Sequence, residues 1–539
     1  MSHRSFIRRI LCAVLLAVSA LFAVIGCQQE RTEPPTASAS GSASQETTQE
    51  EATMSRTESA ETTTTATETV TETVTESETD APTEAPTEPT TEPETDPVRE
   101  ALERSVSVVP YIPAEPSRLR DVKAMWLSQF DLNKVYTNGG RQRAEDDFRN
   151  RIAGILQNVA DNGFNTVIVQ VRPNADSFYP SDLYAPSAYV TGSYANDFTY
   201  DPFSILIEEA RARGLSVHAW INPLRGVTTS ELQKMDMAYA LRQWYEDTAL
   251  RGQYIVEYNG RWYLNPAYAE VRDLIVYGAR EILQRYDVDG IHMDDYFYPT
   301  QDASFDADAY AAYRAEGGTM SPENWRRENL SDLVSRLYRM TKRQNPHALF
   351  GISPAGVLNT VYAKQYADVY RWCAEPGFVD YILPQIYFGF EHATAAFDKL
   401  CNQWQELVRT EYVDLLIGVT FGKALAKYDK WAGTGANEWA QHTDIMARCI
   451  TYTLGLKKCR GMSVFCYHTI LHRQQTLGIL RSRTYQRSDP HPEQSSGTAC
   501  YNSRCHANDI TGSDGSGQCR TQCRKAGYFA VFARLFIGN

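Results

Sequence analysis

The residues best suited to chemistry close the run Asp287-Val288-Asp289-Gly290-Ile291-His292-Met293-Asp294-Asp295-Tyr296-Phe297-Tyr298-Pro299. A short apolar stretch ends there in two carboxylates, three aromatic rings and a proline. Paired carboxyl groups can divide acid and base work between them, or supply a nucleophile and a proton donor. Asp294 is the first candidate for nucleophile or base. Asp295 points the other way in a regular strand and joins it only where the strand breaks into a loop. Asp176 and Glu391 are the further candidates for the acid. Each of these loop carboxylates also has a plainer reading, as solvated surface or as a helix cap.

Such groups need a frame, and the chain between Leu119 and Arg483 repeats a strand followed by a helix eight times. The strands are expected at Val122–Phe130, Thr166–Val171, Ser216–Ile221, Gly290–Met293, Ala348–Ile352, Asp380–Ile386, Leu415–Val419 and Met462–Cys466. Stretches such as Ala144–Asn162 and Pro202–Arg213 carry apolar residues at helical spacing. Gly163, Gly214, Gly377 and Gly461 punctuate the returns to strand, as helix C-caps would. The fold class is therefore α/β, a (β/α)8 TIM barrel, with a doubly wound sheet as the alternative. Alternation along the strands assigns faces. Ile291 and Met293 suit the helix layer and send His292 and Asp294 inward; Val217, Ala219 and Ile221 leave His218, Trp220 and Asn222 inside. The same reasoning turns Gln170 and Arg172, and Gln385 and Tyr387, toward one lumen. Barrel layers that only pack are filled with branched aliphatics, so this polar and aromatic set points to a binding site.

The remainder of the chain reads differently. Arg4, Arg8 and Arg9 precede an apolar run from Ile10 to Ile25, which ends in Val24-Ile25-Gly26-Cys27. That pattern suits an export signal closing on a lipobox, with Cys27 as the lipidated first residue; a plain signal peptide or an uncleaved anchor is the simpler reading. Residues 28–100 are a Thr/Glu/Pro-rich linker expected to be disordered, with an r.m.s. reach of roughly 45 Å. Much of the net charge of -13 lies there and argues against a nucleic-acid partner. Residues 119–485 form the barrel, and 486–539 an irregular tail. Of the 11 cysteines, Cys373, Cys401, Cys449, Cys459 and Cys466 lack metal-ligand spacing and read as mostly free, buried thiols. Cys500, Cys505, Cys519 and Cys523 would suit two disulfides or a zinc site, or else belong to a degenerate or frame-shifted end.

Several motifs, in order, resemble the bacterial glycosyl-hydrolase-like family 10. They are Gln170-Val171-Arg172-Pro173 through Asp176, Tyr179-Pro180-Ser181, His218-Ala219-Trp220-Ile221-Asn222-Pro223, Tyr286 through Pro299, and Asp380-Tyr381-Ile382-Leu383-Pro384-Gln385-Ile386-Tyr387. The resemblance spans most of Asp121 to Arg483. It implies a TIM barrel and glycoside hydrolysis in the cell envelope. Such hydrolysis of a polysaccharide normally takes two carboxyl groups, with no cofactor and no metal, and the expected tethered location favours a cell-wall glycan as the substrate. In that setting Trp220, Tyr296, Tyr298 and Tyr387 would stack on sugar faces. Gln170, Arg172, Asn222 and Gln385 would bond hydroxyls, as would His218 and His292 unless lumen neighbours satisfy them. Two other readings stand beside it. Asp294-Asp295 with His468-Thr469-Ile470-Leu471-His472 resembles the aspartate pair and histidine motif of metal-dependent polysaccharide deacetylases. A glycan-binding lipoprotein without turnover is the third.

Overall fold

The computed structural model describes residues 111–294 and 297–469. The signal, Cys27, the linker, the tail, Asp295, Tyr296 and His472 lie outside the described residues. Eight strands, all parallel, close into a barrel: β1 Val122–Leu127, β2 Thr166–Arg172, β3 Ser216–Ile221, β4 Gly290–Met293, β5 Leu349–Ile352, β6 Tyr381–Ile382, β7 Asp414–Thr420 and β8 Cys459–Phe465. Each pairs with its sequence neighbour, and β1 closes on β8 through Ala124 opposite Ser463 and Met125 opposite Val464. This is the (β/α)8 architecture expected from the eightfold repeat.

The helices that cover it follow from local sequence. The principal ones are α1 Gln129–Tyr136, α2 Glu145–Asp161, α3 Pro202–Arg211, α4 Ala269–Arg285, α5 Pro322–Gln344, α6 Val369–Ala374, α7 Phe397–Leu407 and α8 Ile445–Gly455. On α2, Phe148, Ile152, Leu156 and Val159 recur at helical spacing and are all buried, which fixes the face turned to the barrel. Asp201 caps α3 by accepting from the amides of Phe203 and Ser204, and Pro202 occupies the first turn, where no amide hydrogen is needed. Ser321 and Pro322 start α5 in the same way.

Two apolar regions result. Met125, Leu127, Val167, Val169, Val217, Ile291, Met293 and Phe350 lie in the large core between strands and helices. Ala124, Trp126, Ile168, Trp220, Tyr381, Leu383 and Leu416 form a separate cluster inside the barrel. The lumen accepts rings because small residues stand opposite them. A Cβ on Gly351 would lie 2.0 Å from the Tyr381 ring, and one on Gly290 would lie 2.6 Å from the Leu349 carbonyl oxygen and 3.2 Å from His218 Nδ1.

Some boundaries differ from those expected. β1 stops at Leu127 rather than Phe130, because Ser128 and Asp131 form a capping box that starts α1. β6 shrinks from Asp380–Ile386 to two residues. Pro384 has no amide hydrogen for the ladder, although the Gln385 amide still donates to the Pro354 carbonyl at 2.9 Å. Gly163, Gly214 and Gly377 have positive φ as turn residues should, but Gly461 lies within β8, where its Cβ would meet the Val122 carbonyl oxygen at 2.2 Å.

The chain before β1 crosses the N-terminal end of the barrel. Ser117 Oγ donates to Asp380 Oδ1 at 2.9 Å, and the Leu119 amide to Asp414 Oδ2 at 2.7 Å. Lys342 Nζ, from α5, meets Asp380 Oδ1 at 2.8 Å in a fully buried pair.

Candidate active site

At the opposite end, the strands deliver their last inward residues to one mouth. From β3 come His218 and Trp220, followed by Asn222, all buried. His292 on β4 is fully buried and Asp294, just beyond it, is 3% exposed. Gln170 of β2 spans the wall, accepting from the Gln129 amide at 2.8 Å and donating to Asn222 Oδ1 at 3.3 Å. Gln385 Nε2 donates to the Ser353 carbonyl at 3.1 Å. Tyr387 stacks on Phe465 with ring centres 6.0 Å apart.

Deeper in the lumen, Tyr381 joins the two histidines. Its hydroxyl lies 2.8 Å from His218 Nδ1 and 2.8 Å from His292 Nδ1. Burial pushes both imidazoles down, His218 to about 4 and His292 well below the ordinary value, so both are neutral at pH 7. A single hydroxyl proton can be donated to only one of them, and the other must donate its own Nδ1–H. The pair therefore offers one protonated and one bare Nε2. Trp126 packs edge-on against Trp220 at 4.7 Å and His292 at 5.0 Å, completing a wall of rings.

Three polar atoms at this level are buried without a hydrogen-bond partner: Trp220 Nε1, Asn222 Nδ2 and His292 Nε2. Leaving such atoms unpaired costs on the order of 1–3 kcal/mol each. They come from two adjacent strands, next to the end of β4, where Asp294 follows and is 3% exposed.

Other expected residues are not in the lumen. The pairing of β2 with β3 slips between Gln170 and Arg172, so an extra residue turns Arg172 outward. Its guanidinium lies over the Tyr184 ring at 4.3 Å and donates to the Ile275 carbonyl of α4. Tyr298 is likewise buried in the helix layer against Phe305 and Tyr366, and is not free to stack on a sugar. Asp176 is fully enclosed: one oxygen accepts from the Asn174 amide at 2.8 Å, the other from Tyr194 Oη at 2.9 Å. Burial raises its pKa, yet its lone pairs are spent on shaping the loop. Glu391 is half exposed beside His442 Nε2 at 3.6 Å. His468 meets Asp131, not an aspartate of the β4 end, with Nδ1 at 2.7 Å from Oδ1. Cys466 stands 3.4 Å from that nitrogen, so this thiol does have potential ligands beside it, contrary to the reading from spacing.

Sequence reasoning missed Trp126 and Tyr381. Alternation applied to β1 and β6 would have found them, since Ala124 and Leu383 share their faces. No local signal pairs Asp131 with His468, which are 337 positions apart.

A closed parallel barrel with polar and aromatic groups gathered at the C-terminal ends of its strands defines the class, an α/β barrel with an enzyme-like mouth. The chain belongs to the glycosyl hydrolase-like 10 family, whose model matches residues 121–432. It is 34% identical over 340 residues to glycosyl hydrolase YngK of Bacillus subtilis (strain 168), covering 60% of this chain and 64% of that protein. It is also 34% identical over 278 residues to glycosyl hydrolase DigH of Escherichia coli (strain K12), covering 48% of this chain and 63% of that one. The matches thus span just under two thirds of these relatives' length. Among solved structures, the glycoside hydrolase domain of PgaB (BpsB) from Bordetella bronchiseptica aligns with 69% of this chain and 100% of its own, at 12% identity and a TM-score of 0.44.

Proposed function

We propose that the protein is a glycoside hydrolase of the cell envelope that cleaves a polysaccharide, with a cell-wall glycan as its substrate. The observation that carries this reading is the set of buried, unpartnered nitrogens Trp220 Nε1, Asn222 Nδ2 and His292 Nε2, gathered next to the strand end that carries Asp294. A sugar offers many hydroxyls, each able to donate and accept, and would satisfy such atoms while its apolar face rests on the neighbouring rings. Membership of the family supports the hydrolytic chemistry.

Asp294 is the carboxylate that acts as nucleophile or base. The neutral His218–Tyr381–His292 unit lies beneath the bound ring and holds polar contacts without adding charge. The partner acid comes from a loop at the mouth. Asp176 is ill placed for it, with both oxygens engaged away from solvent. Glu391, half exposed after β6, and Asp295 remain the two choices. The distance between the two carboxyl groups decides whether configuration is retained or inverted.

For the location we propose export and attachment through lipidated Cys27, with residues 28–100 as a tether and no nucleic-acid partner. A tethered enzyme of this kind meets the wall glycan first.

The test is incubation of the purified protein with peptide-free wall glycan, intact peptidoglycan and plant glycans, with products read by mass spectrometry. Shortened wall glycans are expected. Asp294→Asn should reduce cleavage by about 10²–10⁴-fold while leaving binding largely intact, since it removes proton transfer or transition-state charge. Release of acetate without chain shortening would replace this reading with a deacetylase, and affinity without any product would leave a binding module.

A further inference from the structure

Where β1 and β8 meet at the mouth, three potential ligands of different chemistry converge. His468 Nδ1 lies 2.7 Å from Asp131 Oδ1 and 3.4 Å from Cys466 Sγ. All three ligand atoms fall within 4.8 Å of one another. Asp131 comes from the first turn of α1, just after β1, and the other two from the chain leaving β8. The strands they follow lie side by side in parallel, Val122–Met125 against Gly461–Val464.

As a hydrogen-bonded cluster the arrangement is over-subscribed at one atom. That atom is Asp131 Oδ1, which accepts the His468 amide at 2.7 Å and faces the His468 ring nitrogen at 2.7 Å, while the Cys466 thiol turns to the same carboxylate. A cation between them would satisfy all three together. From this geometry we infer that Asp131, Cys466 and His468 form a site for one divalent metal ion of the zinc type.

The donor set selects the ion. Thiolate, imidazole and carboxylate together suit a borderline-soft cation, whereas calcium and magnesium prefer an all-oxygen shell. Zinc held at about 2.0–2.3 Å by such ligands in a tetrahedron keeps them roughly 3.4 Å or a little more apart. The sulfur–nitrogen separation of 3.4 Å already matches, and the carboxylate must withdraw by well under roughly 1 Å from its present 2.7 Å. Its orientation is set from behind, because Asp131 Oδ2 accepts from both the amide and the hydroxyl of Ser128, at 2.7 and 2.6 Å. The His468 side chain is 35% exposed, so the fourth position opens to solvent. Three protein ligands and one open position describe a site able to hold a water as well as one that ties β1 to β8. This inference is independent of the glycan reading and stands or falls on metal binding alone.

The test uses the full chain, reduced and stripped with chelator, titrated with Co2+ as a spectroscopic stand-in for zinc. Because the tail cysteines can also take up metal, wild type is compared with Cys466→Ser and with His468→Gln, each keeping the tail. One metal equivalent per chain should be lost in both variants, together with part of the near-ultraviolet thiolate-to-cobalt band, and zinc should abolish that band in wild type. Zinc should also raise the melting temperature of wild type more than that of His468→Gln, a change at a partly exposed side chain. Equal metal content and an unchanged band in either folded variant, or no binding by wild type, would overturn the site.

Discussion

At Tyr381 one hydroxyl serves two imidazoles, and this sharing has a measurable signature. Both histidines are held neutral by burial, His218 down to about 4, while the unfolded chain protonates them near pH 6.5. As pH falls from 6.5 toward 4, the unfolded state takes up protons that the folded state refuses, and stability is lost across that window. Replacing His218 with Gln removes one of the two contributions. Urea denaturation at several pH values between 7 and 4 should therefore give a shallower loss for His218→Gln than for wild type. An unchanged slope would mean that His218 takes up its proton in the folded barrel at the same pH as in the unfolded chain. The same neutrality bears on the proposed hydrolysis: uncharged groups beneath the sugar would leave the negative charge for an oxocarbenium-like transition state to Asp294, and on that proposal its amide should bind but scarcely cleave.

The strands decide which of these side chains meet. Period-two alternation is enough to read His218, Trp220 and His292 as inward, because β3 and β4 are regular from end to end, and it extends one step past β3 to Asn222, which bonds Gln170. It failed at Arg172, where one extra residue in β2 reverses the parity, and nothing in Gln170-Val171-Arg172-Pro173 announces that slip. It failed for Tyr298 as well, since alternation ends where the strand does and Phe305 and Tyr366 supply a competing apolar site. Contacts such as Asp131 with His468 depend on closure of the whole barrel and have no local pattern at all. Closure also makes glycine a partner of the rings. Gly351→Ala sets a methyl group against the Tyr381 ring, 2.0 Å from its nearest atom, and the ring must move. We expect a loss of about 1–3 kcal/mol in urea denaturation, the usual cost of overpacking, with weakened binding because both histidines lose their shared partner.

For the molecule as a whole, the folded unit begins before its first strand. Ser117 and Leu119 are bound to Asp380 and Asp414 at the N-terminal end of the barrel, and Lys342 neutralises Asp380 there. Burial raises the pKa of Asp380, and Lys342 and Ser117 oppose that rise, so the aspartate relies on these partners. A chain begun at Val98 should keep the melting temperature and activity of the longer protein, since it retains both contacts. One begun at Val122 lacks them and should melt several degrees lower, by about 4–8 °C for each 1 kcal/mol in a small domain and less in one of this size. Differential scanning calorimetry of the two chains distinguishes these outcomes; equal melting temperatures would show that residues 111–121 contribute nothing.

Strand direction also tells an experimenter where to put a handle. The approach to β1 lies across the end of the barrel away from the mouth, whereas β8, parallel to every other strand, releases the chain at Cys466 beside the mouth itself. A bead, dye or fusion partner joined ahead of residue 111 leaves polymer free to enter. Joined soon after Thr469, it stands in the doorway. Turnover of long chains should then fall more than turnover of short oligosaccharides, and comparing the two fusions on both substrates would measure how closely the opening is hemmed in.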